Sequence, residues 1–94
     1  MIVSVCQLKQ HLRIQHDDED AYLRRLIRQA QASAEDYCHV RFKRKAPMPV
    51  KLAVILMASY QYEFRDSSDR RAYMTMRLSF ESLLWPYRDP DKLF

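Results

Sequence analysis

The sequence predicts an all-α fold, a small bundle of about four helices with a central apolar third helix. Three observations predict it. Apolar residues recur at steps of one, three and four along residues 22–38, the period of an amphipathic helix. Glycine is absent, which argues against the tight hairpins that need positive φ. Pro47, Pro49 and Pro86 stand where helices begin or stop.

The first element is "SVCQLKQHL". Ser4 is a candidate N-cap, and Gln7 three residues on completes a capping box. Leu8 and Leu12 share one face, and so short a helix has to dock on something to form. The second and clearest element is "DDEDAYLRRLIRQAQASAEDYC". Tyr22, Leu23, Leu26, Ile27, Ala30, Ala34, Tyr37 and Cys38 make one continuous stripe, with Arg24, Arg25, Arg28, Gln29, Gln31 and Glu35 on other faces. Asp17 or Asp18 is expected to cap this helix, with Glu19 and Asp20 in its first turn. Asp20 and Arg24 form an acid-to-base pair four apart.

"HVRFKRKAPMP" follows as a connecting loop, broken by two prolines. "PVKLAVILMASYQYEFRD" is the third helix, from Pro49 to about Arg65, with Pro49 in the first turn where its missing N–H is harmless. Residues 52–58 are apolar on every face, so this helix is expected at the centre. A strand is the rival for so short an apolar run; the length of the segment and its alanines favour the helix. "DSSDRRAYMTM" reads as a polar surface connection. "SFESLLWPYRDPD" gives a short fourth helix, capped by Ser79, packing through Leu83 and Leu84, and stopped by Pro86. Internal repeats and low-complexity segments are absent.

The totals fit one domain, residues 1–94. A chain of this size has a modest core, so partner surfaces are expected to add stability. With 48% hydrophobic and 30% charged residues the composition is globular. A net charge of +4 and a pI near 9.3 permit contact with nucleic acid without demanding it. The bias is local: no acid lies between Asp36 and Glu63, while Arg41, Lys43, Arg44, Lys45 and Lys51 all do. Cys6 and Cys38 make no disulfide framework, and a reduced cytosolic setting is the simpler expectation. No signal peptide is visible, and the apolar run Leu52 to Ala58 is too short for a membrane span.

The stretch "HLRIQHDDED" raises the question of a metal site. His11 and His16 are five apart and diverge by about 140° on a helix, whereas two ligands on one helix sit four apart. HExxH and CxxC motifs are absent. Cys38 and His39 are adjacent, so on a helix their side chains point about 100° apart. Cys38 continues the apolar stripe and reads as a small buried hydrophobe. A paired-carboxylate site in residues 17–20 competes with helix-start acids, and the latter is the usual role of such a cluster. The residues therefore predict no catalytic centre, no metal and no cofactor.

The order of these segments resembles the small head–tail connector proteins, the head-completion or adaptor proteins, of long-tailed double-stranded-DNA bacteriophages. The resemblance lies in three stretches that cover most of the chain. "LKQHLRIQHDDEDAYLRRLIRQAQASAEDY" has the short helix ending in Leu12, Arg13 and Ile14, then the acidic start of a long amphipathic helix. "PMPVKLAVILMASYQYEFRD" matches a Pro-led apolar helix ending at Tyr62 and Arg65. "SFESLLWPYR" matches a closing segment through Leu83, Leu84, Pro86, Tyr87 and Arg88. Relatives often place a glycine-containing turn where this chain has "CHVRFKRKA". The resemblance implies a non-enzymatic helical subunit that assembles into a ring, a dodecamer, on the DNA exit channel. Its implied partners are copies of itself, the portal protein, a tail or stopper protein and, nonspecifically, double-stranded DNA. Its implied place is the head–tail junction of the virion, after synthesis in the bacterial cytoplasm.

A ring of one subunit type joins one surface to a different surface of its neighbour. The late aromatics Tyr73, Phe80, Trp85, Tyr87 and Phe94 are candidates for such contacts. Trp85, Tyr87 and Arg88 are expected at the subunit or portal interface, since Trp, Tyr and Arg are common anchors. The competing expectation is that Trp85 and Tyr87 cap the third helix inside the monomer core. Arg41, Lys43, Arg44 and Lys45 form a possible DNA-channel or subunit contact. For this loop a solvated role, or pairing with Asp17 to Asp20 of the next subunit, is favoured over DNA. Phe42 either packs down or touches a neighbour. The main alternative function is a small helical nucleic-acid-binding regulator reading DNA with Arg24, Arg25, Arg28, Gln29 and Gln31. The acidic connection before that helix argues against it. Nothing in the sequence supports a third option, a helical enzyme subunit.

Overall fold

A computed structural model describes residues 1–43, 45–64 and 69–88. Arg44, Arg65 and Phe94 lie outside the described residues. Four helices follow in order: α1 (Val5–Leu12), α2 (Asp20–Cys38), α3 (Met48–Glu63) and α4 (Arg70–Leu84). A 3-10 turn, Trp85–Tyr87, closes the described chain. Among the described residues there is no strand.

Helix α1 forms as expected. The Gln7 N–H donates to Ser4 Oγ at 3.1 Å, and the Ser4 N–H donates to Gln7 Oε1 at 2.9 Å, so both halves of the capping box are made. The helix stops at Arg13, which adopts the left-handed conformation at φ 61°. Its successor reaches back, the Ile14 N–H donating to Lys9 O at 2.9 Å. Helix α2 ends in the same way: His39 is left-handed at φ 58°, and the Val40 N–H donates to Glu35 O at 3.3 Å. These are Schellman-type ends, where glycine is the usual left-handed residue. Here Arg13 and His39 take that conformation, and the next residue, Ile14 or Val40, packs on the core. In the link from Tyr37 to Pro47, where a glycine-containing turn is expected of relatives, the left-handed residue is His39.

The acids before α2 do something other than the expected capping. Glu19 occupies the N-cap position and makes no capping bond with its side chain. Lys9, from the end of α1, draws the carboxylates of Asp17 (2.5 Å) and Asp20 (3.0 Å) to its ammonium. Glu19 accepts a hydrogen bond from the Tyr62 hydroxyl of α3 at 2.8 Å. The cluster therefore ties α1, α2 and α3 together. The expected Asp20–Arg24 pairing gives way to the Lys9 contact, because the packed α1 brings a cation from outside the helix. Lys9 beside it holds the Asp17 carboxyl below the ordinary carboxylate value, and the two acids raise the Lys9 ammonium.

Helix α3 lies at the centre, packed against α4, α2 and α1. Val50, Ala53, Val54, Met57 and Ala58 are buried in it. Ser59 is buried too, and its hydroxyl donates to Ile55 O at 2.6 Å, which meets its bonding need within the helix. Leu23, Leu26, Ile27, Ala30, Ala34 and Cys38 of α2 are buried, as the stripe predicts.

The fourth helix is longer than expected. Asp69 caps it, its carboxylate accepting from the Arg71 and Ala72 N–H groups at 3.0 and 3.1 Å. The polar look of residues 70–76 is that of an exposed helix face. Met76, Phe80 and Leu84, four apart, form the buried side. Ser79 is an exposed residue inside the helix, and Thr75 returns its hydroxyl to Arg71 O at 3.0 Å.

Two outcomes are expected of these ends and ties. Arg13→Gly and His39→Gly should each raise stability by roughly 0.5–1 kcal/mol, read by urea unfolding, because a side chain on a left-handed residue is strained there. The Lys9–Asp17 contact should make stability pH-dependent at both extremes. The lowered Asp17 contributes fully above its ordinary value of 3.8 and loses that share as pH falls through its folded value. The raised Lys9 contributes fully below 10.5 and loses its share as pH rises through its folded value. Lys9→Met should flatten the decline in melting temperature between about pH 4 and pH 2. A parent and variant that decline in parallel there would exclude the contact.

Candidate subunit interface

Pro86 sits in the 3-10 turn that ends α4. That turn gathers the three residues expected at an interface. The Arg88 guanidinium lies between two rings, 4.8 Å from the Trp85 centroid and 4.7 Å from the Tyr37 centroid. A cation over aromatic faces is attracted by their quadrupoles, so Arg88 pins the turn to the end of α2. Tyr87 is half-buried against the core. Trp85 is 64% exposed, so it does not cap α3 in the monomer; of the pair in that competing expectation, only Tyr87 packs on the core. Beneath the turn the Cys38 thiol donates to Leu84 O at 3.7 Å. Burial pushes that thiol up, and the charge of Arg88 partly offsets the effect.

Trp85 shares a side of α4 with other exposed apolar residues, with Glu81 among them. At about 100° per residue, Met74, Leu78 and Trp85 fall within about 40° of one another around α4, roughly 140° from the centre of the buried Met76–Phe80–Leu84 side. Met74 is 52% and Leu78 66% exposed. Arg77 flanks this stripe, paired with Glu81 at 3.0 Å and lying over the Phe80 ring. Helix α4 therefore carries apolar side chains on two faces and buries one of them.

The cationic loop is built on an acid. Glu35 of α2 accepts from the Phe42 N–H at 2.8 Å and from Gln31 Nε2 at 3.5 Å. Phe42 packs down on the core, while Arg41, Lys43 and Lys45 are exposed. An open cleft beside the loop is lined by Ala32, Glu35, Asp36, His39, Arg41 and Lys43, so both signs of charge meet there. Asp17 and Asp18 are exposed beyond the opposite end of α2, about 28 Å away at 1.5 Å per residue. Loop and acids of one subunit cannot meet.

A second surface was not legible in the sequence. Between α2 and α3 an open groove is lined by Tyr22, Arg25 and Gln29 on one side and Tyr60, Gln61 and Phe64 on the other. Tyr60 and Phe64 stack at 4.9 Å. The side-chain oxygen of Gln61 is buried there and has no hydrogen-bond partner among the described residues.

Other candidate chemistry does not converge. His11, His16 and Cys6 are exposed, and His16 Nδ1 lies 3.9 Å from Asp18. Among the described residues no group of three or more His, Cys, Asp or Glu is arranged to hold a metal. The Arg24, Arg25 and Arg28 side chains of the alternative DNA reading are exposed on α2, with the exposed Asp17 and Asp18 just before them. No helix among the described residues is long and apolar enough to cross a membrane.

Comparison with curated proteins and with solved structures gives no match. Comparison with protein families gives a match to the phage gp6-like head-tail connector proteins over residues 2–89. That match runs from the buried Ile2, through all four helices, past the Arg88 stack, and by it this chain belongs to the phage gp6-like head-tail connector family.

Proposed function

We propose that this chain, a single domain over residues 1–94, is a non-enzymatic joint of the phage particle that assembles as a ring below the portal. Membership of a head-tail connector family implies contact with other head and tail proteins. The observation that carries the finer reading is the exposed Met74–Leu78–Trp85 stripe on α4. Exposed apolar side chains gathered on one side of a helix suit a docking site, and a head-to-tail ring needs such a surface on every subunit.

Magnitudes favour a ring over a free dimer. Covering three such side chains is worth on the order of 1.5–3 kcal/mol each. Association itself costs about 4–15 kcal/mol. One contact of this kind is marginal, whereas a closed ring gives every subunit two. By resemblance the ring is a dodecamer at the head–tail junction, with the portal protein above and a tail or stopper protein below. Arg41, Lys43 and Lys45, exposed on their loop, face the channel or the neighbouring subunit. A channel has to let DNA slide, so their attraction to phosphates is weak and screened by salt.

Trp85→Ala tests the joint. The monomer should stay helical, with stability within about 1 kcal/mol of the parent, because the side chain lies mainly outside the core. Assembly, read by sedimentation velocity with and without portal rings, should be lost. Global unfolding of the variant would make Trp85 a core residue and remove the reading. Replacing all four loop cations by Ser should weaken DNA retention in filled heads or weaken assembly; no change in either would take the loop out of the mechanism.

A further inference from the structure

The α4 stripe needs a counterpart on the next copy, and the uncovered side of α3 has the make-up of one. We infer that α4 of one copy lies along α3 of its neighbour, with Leu78 and Trp85 over Leu52 and Met48 and with Arg71 beside Glu63. The inference rests on the ring reading and names its contact.

The buried residues of α3 centre on one side of the helix. Met48, Leu52, Ile55, Leu56 and Glu63 fall within about 100° of one another on the opposite side. Met48 is 65% and Leu52 46% exposed, while Ile55 and Leu56 are half-buried. Ser59 belongs to that side too, and its hydroxyl is already bonded to Ile55 O, so it offers no competing polar group.

Three observations name the occupant. Of the eight large apolar side chains that are exposed among the described residues, five lie on these two surfaces: Met48 and Leu52 on α3, and Met74, Leu78 and Trp85 on α4. The lengths match, since Glu63 to Met48 spans about 22 Å and Arg71 to Trp85 about 21 Å at 1.5 Å per residue. Charge fixes the direction. Glu63 and Arg71 are exposed, and neither has an ion-pair partner among the described residues. Setting Arg71 on Glu63 runs the two helices antiparallel and brings Leu78 and Trp85 between Leu56 and Met48. The reverse direction would set Arg71 at the end that bears Lys51, like charge against like. Glu81, on the same side of α4 as the stripe, enters already paired with Arg77.

This direction suits a ring. Within a subunit α4 already runs antiparallel to α3, because Tyr60 late in α3 meets Asp69 and Tyr73 at the start of α4. A neighbour's α4 laid antiparallel to the same α3 therefore points the same way as the subunit's own, and no copy is turned end over end. The stripe faces away from its own α3, so the contact cannot close within one subunit. It joins unlike surfaces and repeats from copy to copy.

Cross-linking tests the contact in the full chain, with the exposed Cys6 replaced by Ser. Leu52→Cys and Leu78→Cys variants should be mixed and treated with a short bismaleimide, with and without portal rings. A covalent dimer should form in the mixture and in neither variant alone. Glu63→Arg and Arg71→Glu should each weaken assembly about threefold in sedimentation velocity, and the two together should restore it. Leu52→Glu should keep the parent's circular dichroism and weaken assembly at least about tenfold, since it sets a carboxylate against apolar side chains. Rings that assemble with no dimer in the mixture, or that are indifferent to Leu52→Glu and to both charge reversals, would overturn the contact and leave the ring reading standing. Cross-links within either variant alone would also overturn it, as would protection of the Leu52→Cys thiol by portal rings with no link between copies. Failure to assemble at any concentration, with or without portal rings, would overturn both.

Discussion

Helix α3 has almost no polar face, and the rest of the fold packs against the side of it that Val50, Ala53, Val54, Met57 and Ala58 form. Those five residues fall within about 140° of one another around the helix, while Leu52 on the far side is 46% exposed and Ile55 and Leu56 are half-buried. Helices α2 and α4 flank it, and α1 closes part of what remains. The short α1 would not persist alone; it is held by Leu8 in the core and by Lys9 bridging to Asp17 and Asp20. The same requirement explains why α4 starts as early as Arg70. A helix only one or two turns long could not extend both Met76 and Leu84 along α3.

The absence of glycine shapes the connections as firmly as α3 shapes the core. Helices that turn sharply often need a left-handed residue at the exit. In this chain Arg13 and His39 adopt that conformation, and packing by the adjacent residues offsets the strain. Ile14 and Val40 are drawn onto the core, and Glu35 holds the backbone at Phe42. The cationic loop is thereby anchored at its start, with Arg41 and Lys43 displayed around a fixed Phe42.

How much of this was legible in the sequence depended on whether a residue's partner was near it in the chain. The α1 capping box, the α2 stripe and the central α3 are encoded by spacings within one helix, and all three were readable. The start of α4 was not, because Met74 and Leu78 add apolar residues on the outer face and blur the period set by Met76, Phe80 and Leu84. Capping by Asp17 or Asp18 was the reasonable local expectation, overridden by a cation from another helix. Trp85, Tyr87 and Arg88 were identifiable by residue type, yet the sequence could not say that Tyr87 turns inward while Trp85 stays out. The groove at Gln61 had no signal at all, since its walls come from helices whose residues are more than thirty positions apart.

The molecule is a thin plate, with Cα extents of 43 × 31 × 17 Å. In a body this thin, hardly any side chain lies more than one layer from its outer boundary, and the interior alone sets a low ceiling on heat resistance. If copies stack edge to edge, mass action supplies the remainder: each added neighbour binds only the folded form, and the melting point climbs with the amount of protein present. Durability against heat or osmotic shock would then be a property of the completed particle, and loose subunits in the host would stay easy to unfold and degrade until they find their places.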